Sequence, residues 1–289
     1  MRKNWGGWFL IAVHLFAAPL LWTQNTGSSP DQTTQNDGFV EKWLKMAERS
    51  QAEQPHWIPA VVTTPARLLQ VYRYDIFWQT ANNGFTTENY DGNKGIEFIP
   101  QRHVEIFLVV PPPYIVHKNP ALKDGFGDWS FLLKYRIAAA NEQHGNYILT
   151  AYLQTILPTG QYKNGNLKTI LTPAIAYGKG FGRFDVQGTF GASLPIADEA
   201  KIGRAYIWND AFQYHIAKKF WPDVEVNYTH FEDGPNHGKT QVFITPGLVI
   251  GNFHLAKRLG LNVGGGFQVA ATHFHVNNHN GIFTIRFPF

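Results

Sequence analysis

The chain has 289 residues, of which 44% are apolar, 15% aromatic and only 16% charged, with a formal net charge of +4. It contains no cysteine, which excludes disulfides, thiol catalysis and a lipidated cysteine anchor. Its Lys and Arg residues are scattered along the chain, with no basic run or helical face, so a nucleic-acid partner is not indicated.

Residues 1–24 have a basic start (Arg2, Lys3), an apolar body from Trp8 to Trp22 and a switch to polar residues, the pattern of a secretory signal peptide. No clean small-x-small pair precedes Gln24, and Pro19 opposes cleavage after Ala18, so an uncleaved anchor is the alternative. Beyond this stretch no apolar run approaches the ~20 residues of a helical membrane span. Residues 25–66 read as a periplasmic extension. Asn25 to Gly38 is a polar linker, whereas Phe39, Val40, Trp43, Leu44 and Ala47 recur at helical spacing and predict a short amphipathic helix over 39–54. Pro55, Pro59 and Pro65 then punctuate the approach to the first strand. Whether the helix packs against the rest of the chain, enters it or lies on a membrane is left open.

Residues 67–289 read as an all-β domain. Twelve strands are predicted, at about 68–80, 95–100, 103–113, 128–139, 146–158, 168–178, 182–195, 204–217, 222–232, 239–251, 257–272 and 281–289, with ends placed to ~2–4 residues. The alternation is sharpest in the seventh, where Phe184, Val186, Phe190, Ala192 and Leu194 oppose Arg183, Asp185, Gln187, Thr189 and Ser193. In the fourth, Trp129, Phe131, Leu133, Tyr135 and Ile137 oppose Ser130, Lys134 and Arg136. The eighth resists: Asp210 shares a face with Tyr206, Trp208, Phe212, Tyr214 and Ile216. A carboxylate in lipid is costly, so a bulge near Asn209 and Asp210, or a position near the membrane interface, is expected.

The last strand, GIFTIRFPF, puts Phe283, Ile285, Phe287 and Phe289 on one face. Four large apolar groups on a terminal edge strand invite aggregation in water. A closed barrel in lipid removes the edge and requires that face. The expected fold is therefore a transmembrane antiparallel up-and-down β-barrel of twelve strands in the bacterial outer membrane, with lipid as a partner. Its terminal Phe289 resembles the C-terminal signal read by the barrel assembly machinery of such proteins.

Gly125-Phe126-Gly127-Asp128 leads into a strand ending Lys134-Tyr135-Arg136, and a later strand closes with Leu157-Pro158-Thr159-Gly160. These segments resemble the outer-membrane transporters associated with the MetA pathway of phenol degradation, over about Val104 to Phe289. The resemblance implies a barrel that passes small, often aromatic, molecules. It lends no catalytic or ligand residue and no cofactor.

Strand parity sends Arg73, Asp75, Glu105, Lys134, Arg136, Arg183, Asp185, Asp223, Glu225 and Arg286 to the lumen. Five cations face five anions, which either brace a narrow interior as a hydrogen-bonded network or line a constricted path for small-molecule solutes. Arg73 and Arg286, on the two closing strands, are expected to share Asp75 or Glu105. His273, His275 and His279 form a weak metal candidate, with no carboxylate or thiolate nearby to complete a set. Gly234 to Thr240, GPNHGKT, is one residue short of a phosphate loop and leads into a strand. Only Ser130 and Ser193 offer serine nucleophiles in the barrel, both facing inward and neither in a nucleophile motif, so an outer-membrane hydrolase is the weaker alternative to a channel. A closed barrel that binds partners through its loops or its helix is the other.

Overall fold

The computed structural model describes residues Gly38–Phe289. The expected signal peptide and most of the polar linker lie outside the described residues. Helix α1 (Phe39–Ala52) is followed by strands β1 (Val71–Ala81), β2 (Thr86–Asp91), β3 (Ile96–Gln101), β4 (Val104–Leu108), β5 (Tyr114–His117), β6 (Gly125–Phe126) and β7 (Trp129–Ala140). Then come β8 (Tyr147–Leu157), β9 (Ile170–Phe181), β10 (Phe184–Pro195), β11 (Ala205–Tyr214), β12 (Phe220–Phe231), β13 (Thr240–His254), β14 (Gly260–Ala270) and β15 (Asn277–Pro288).

Neighbours along the sheet follow chain order from β15 down to β7, then β4, β3 and β1, and β1 pairs with β15 to close the ring. The result is a closed antiparallel barrel of twelve staves. Closure runs the full length of β1, from Val71 opposite Pro288 to Ala81 opposite Asn277, so the terminal strand has no free edge.

Three staves are interrupted. β2 and β3 are two halves of one stave, parted by a turn at Asp91 and Asn93, which both have positive φ. β4 and β5 are parted by Val109–Pro113, and β6 and β7 by Gly127 and Asp128. The upper halves form a flap in which β2 pairs with β1 on one side and β5 on the other, and β5 pairs with β6. The expected strands fall on the lower halves and include none of β2, β5 and β6; in β2, TTENYD carries no apolar alternation.

Alternation elsewhere matches the expectation. In β7, Leu133, Tyr135 and Ile137 are exposed while Ser130, Leu132, Lys134 and Arg136 are buried. In β10, Asp185, Gln187 and Thr189 are buried and Phe184, Phe190 and Leu194 exposed. Among the described residues no helix is long and apolar enough to cross a membrane; the exposed apolar belt belongs to the strands.

At Asp210 the expected bulge is absent. The register of β10 with β11 runs unbroken from Phe184–Tyr214 to Ser193–Ala205, and Asp210 lies opposite Gly188. The carboxylate is satisfied on the outer wall instead. Tyr177 Oη donates to Asp210 Oδ1 at 2.7 Å and accepts from Trp208 Nε1 at 2.9 Å. Gly188 makes the room, since a Cβ there would lie 2.3 Å from Asp210 Oδ1.

The end of the barrel that carries both its termini also carries the shorter connections, such as Gly182-Arg183 between β9 and β10, the arrangement of the periplasmic end in this class. There α1 lies across the mouth. Trp43 Nε1 donates to the Ile99 carbonyl at 2.7 Å, Ser50 Oγ to the Arg102 carbonyl at 2.6 Å, and Arg258 pairs with Glu41 and Glu48. Ala47 packs with Leu68 and Ile99 beneath it. Glu41 in the first turn and Arg49 in the last suit the helix dipole.

Past Pro55 the chain has no regular structure until β1 and runs inside the barrel. Trp57, Ile58, Val61 and Ala66 pack against inward-facing Ile148, Ala176, Trp221, Val249 and Ile282. Burying three side chains such as Trp57, Ile58 and Val61 contributes roughly 1.5–3 kcal/mol each. Glycines shape the seat: a Cβ at Gly178 would lie 2.5 Å from the Trp57 ring, and one at Gly251 would lie 2.7 Å from Ile58 Cδ1.

Candidate functional site: a plugged lumen

A peptide segment with no strand partner has backbone donors and acceptors to satisfy once it is removed from water. Residues 55–70 are in that position, and the barrel's inward charges satisfy them by sign. Cations take carbonyls. Arg73 Nη2 donates to Val61 O at 2.5 Å, Arg286 Nη2 to Ala60 O at 2.8 Å and Arg286 Nη1 to Pro59 O, while Lys134 Nζ donates to Arg67 O at 3.0 Å. Anions take N–H groups. Glu225 accepts from Val62 at 2.7 Å and Thr63 at 2.5 Å, Glu105 from Leu69 at 2.5 Å, and Asp223 from Val61 at a longer 3.4 Å. The near balance of luminal charge suits a peptide backbone, which presents both acceptors and donors.

The remaining inward groups support these contacts. Asp75 grips Arg73 through two hydrogen bonds of 2.9 and 2.6 Å, and Lys134 pairs with Glu105 at 2.7 Å with both side chains buried. Gln187, beside Asp185, donates to the Ile58 carbonyl at 3.1 Å. Arg136 reaches the helix: its Nη1 donates to Ser50 O at 2.5 Å and its Nη2 pairs with Glu53 at 3.0 Å. Nine of the ten residues that parity sent to the lumen are buried there. Arg183 is the exception; it sits exposed in the tight turn between β9 and β10, one residue before the strand begins.

Arg73 and Arg286 stand directly opposite each other across the closing seam. Like charges so placed repel, and they do not share a carboxylate as expected. Arg73 takes Asp75, Arg286 takes two plug carbonyls and Thr284, and Glu105 goes to Lys134.

The segments that carry the family resemblance meet in space. Asp128 Oδ1 accepts from Gly160 N at 2.8 Å, and Trp129 N donates to Thr159 Oγ1 at 2.8 Å, which ties the loop after β8 to the top of β7. Lys134 and Arg136 of the same resemblance hold the plug and the helix.

His275 uses both ring nitrogens locally, on Thr272 O at 2.8 Å and Asn278 Oδ1 at 2.9 Å, and His279 packs on Phe267. Among the described residues no cluster of three His, Asp or Glu side chains could hold a metal ion. Ser130 Oγ is buried without a hydrogen-bond partner, so no base activates it.

The helix attachment is sensitive to acid. Hydrogen bonds from Arg102 hold the Glu53 carboxyl below its usual 4.5; burial opposes them, and the charges of Arg102 and Arg136 add to the lowering. A lowered carboxyl pKa stabilises the docked state above the unfolded value, and that contribution is lost as pH falls through the folded value, below 4.5. A spin label on Gln51→Cys in this cysteine-free chain is expected to gain mobility in that acid window. In Arg102→Ala the label should be mobile already at neutral pH. A label equally immobile at both pH values in wild type would remove Glu53 from the attachment.

A twelve-stranded closed antiparallel barrel with an apolar outer belt and a polar, occupied lumen has the architecture of an outer-membrane β-barrel. Among solved structures the chain is similar to an outer-membrane channel from Pseudomonas putida F1, at 16% identity and a TM-score of 0.53, covering 80% of this chain and 98% of that one. The NanC porin is matched at 10% identity over 76% of this chain and 98% of that one, with a TM-score of 0.49. The KdgM porin, in complex with disordered oligogalacturonate, is matched at 9% identity over 76% and 99%, with a TM-score of 0.44. No family model and no curated protein sequence matches the chain.

Proposed function

We propose that the chain is an outer-membrane channel for small molecules, closed at rest by its own segment 55–70 and opened by a displacement of that segment. The observation that carries this reading is a pair of cavities flanking the plug. One, of about 330 Å³, lies toward the periplasmic end among Ile58, Pro59, Arg67, Asn252, Asn262 and Arg286. The other, of about 240 Å³, lies among Thr64, Pro65, Lys94, Glu105 and Lys134. Arg73 and Glu97 line both. The plug and this pair of side chains divide what would otherwise be a continuous space beside the wall. Opening requires a displacement of the segment that joins the two.

Lumen dipoles and ions replace a solute's hydration in such a passage, and weak binding at several points permits release. The motifs resembling the MetA-associated transporters favour aromatic solutes, and export to the outer membrane accords with the expected signal peptide. The test is single-channel recording of the refolded full chain in a planar bilayer, with phenol as competing solute. Discrete openings from a closed level, shortened by phenol, are expected. A folded barrel that never opens would favour the second reading, a sealed scaffold, for which the density of plug contacts speaks.

A further inference from the structure

We infer that the periplasmic cavity is a binding site for a small carboxylate with an apolar body, and that Arg67 is its anchor. The cavity is at the lower end of the ~300–1,000 Å³ range of small-molecule sites. Three guanidiniums line it, those of Arg67, Arg73 and Arg286, against one carboxylate, Glu97. His56 also lines it but is engaged with Glu142 at 2.8 Å.

The three arginines differ in what they have left to give. Arg73 is committed to Asp75 and Val61 O, and Arg286 to Thr284 and the carbonyls of Pro59 and Ala60. Arg67 donates through Nη1 to the Trp57 carbonyl. Its Nε is shielded from solvent without an acceptor, and its one side-chain hydrogen bond to a described residue leaves Nη2 uncommitted. Nε and Nη2 form one edge of the guanidinium, the edge that fits both oxygens of a carboxylate in two parallel hydrogen bonds. A shielded donor without a partner is unfavourable, and a bound carboxylate supplies the missing acceptor.

The rest of the lining specifies the body of the ligand. Ile58, Pro59, Leu69, Val71 and Pro288 supply apolar walls, and Asn252 and Asn262 supply polar points. Nothing in the lining is suited to the several charges of a polyanion, since Glu97 would oppose a second carboxylate. The site combines both parts of the molecule: Arg67 and Ile58 come from the plug, Val71 and Arg286 from the closing strands.

The site lies on the route proposed above, but occupancy is read by binding, which needs no conduction. Isothermal titration calorimetry of the detergent-solubilised full chain with benzoate is expected to show saturable binding, with benzamide, its neutral isostere, at least about tenfold weaker. Arg67→Gln should weaken benzoate at least about tenfold, and Arg67→Lys, which keeps the charge but loses the fork, should fall between. Glu97→Gln, which removes the opposing charge, should tighten benzoate severalfold, and it decides the matter if the Arg67 variants fail to fold. Absence of benzoate binding, equal binding of benzamide, indifference to Arg67→Gln in a folded barrel, or unchanged affinity in Glu97→Gln would each overturn the assignment. Binding in a barrel that stays silent in bilayers would sink the channel reading and leave the site standing.

Discussion

Replacing Glu225 by alanine is expected to raise the open fraction of the barrel by about 10²–10⁴ while leaving its fold intact. The carboxylate is fully buried and accepts from two successive backbone N–H groups of the plug, those of Val62 and Thr63. Hydrogen bonds to a charged group are worth ~1.5–3 kcal/mol each. Losing both removes roughly 3–6 kcal/mol from the closed state, which converts to that range of population shift. Glu225→Gln keeps one acceptor and should fall between. Asp223→Ala should do less, because its bond to Val61 is long at 3.4 Å. The ordering is read as open probability in planar bilayers, with heat-modifiable gel migration confirming a folded barrel. A folded Glu225→Ala barrel with the closed level of wild type would show that this carboxylate does not hold the gate.

A second large effect is expected at Lys134, on barrel stability rather than on gating alone. Lys134 and Glu105 are both fully enclosed and pair at 2.7 Å between neighbouring strands β4 and β7. Lys134→Met strands the buried Glu105 carboxyl without its partner, a loss of ~3–5 kcal/mol. In Lys134→Met with Glu105→Gln the stranded carboxyl is gone, and the glutamine oxygen still accepts from Leu69 N–H. Urea unfolding in detergent should therefore show most of the lost stability restored in the double variant. If the double variant is as unstable as the single, the cost lies in packing around Lys134 and not in the stranded carboxyl.

Both expectations depend on something that parity alone could not supply. The staves were legible because a barrel wall imposes a period of two on every strand, which β7 displays from Trp129 to Ile137 and β10 over much of its length. The burial of nine of the ten ions follows from the same period; Arg183 lies in a turn because β10 starts at Phe184, two residues later than expected. Their partner was not legible. It is a backbone, and N–H and C=O groups are present at every non-proline residue whatever the sequence. The available signal was compositional: an apolar, proline-punctuated run from Pro55 to Leu69 ahead of a barrel whose inward charges nearly balance. The flap strand β2 was lost because its two faces are both polar, and of the two alternatives for outward-facing Asp210, a bulge or a place near the interface, the unbroken register excludes the bulge. The partner of Asp210, Tyr177, comes from β9, two strands away, across a glycine whose role depends on register.

The central claim, that residues 55–70 are a movable gate, is tested most directly by stapling the segment to the wall. A Cβ at Gly266 would lie 3.5 Å from Val61 Cγ1, within reach of a disulfide, and the chain has no other cysteine to interfere. In planar bilayers Val61→Cys with Gly266→Cys is predicted to open when reduced, to fall silent on oxidation and to recover on reduction. The same conductance in both redox states, or silence in both, would contradict a gate made of this segment.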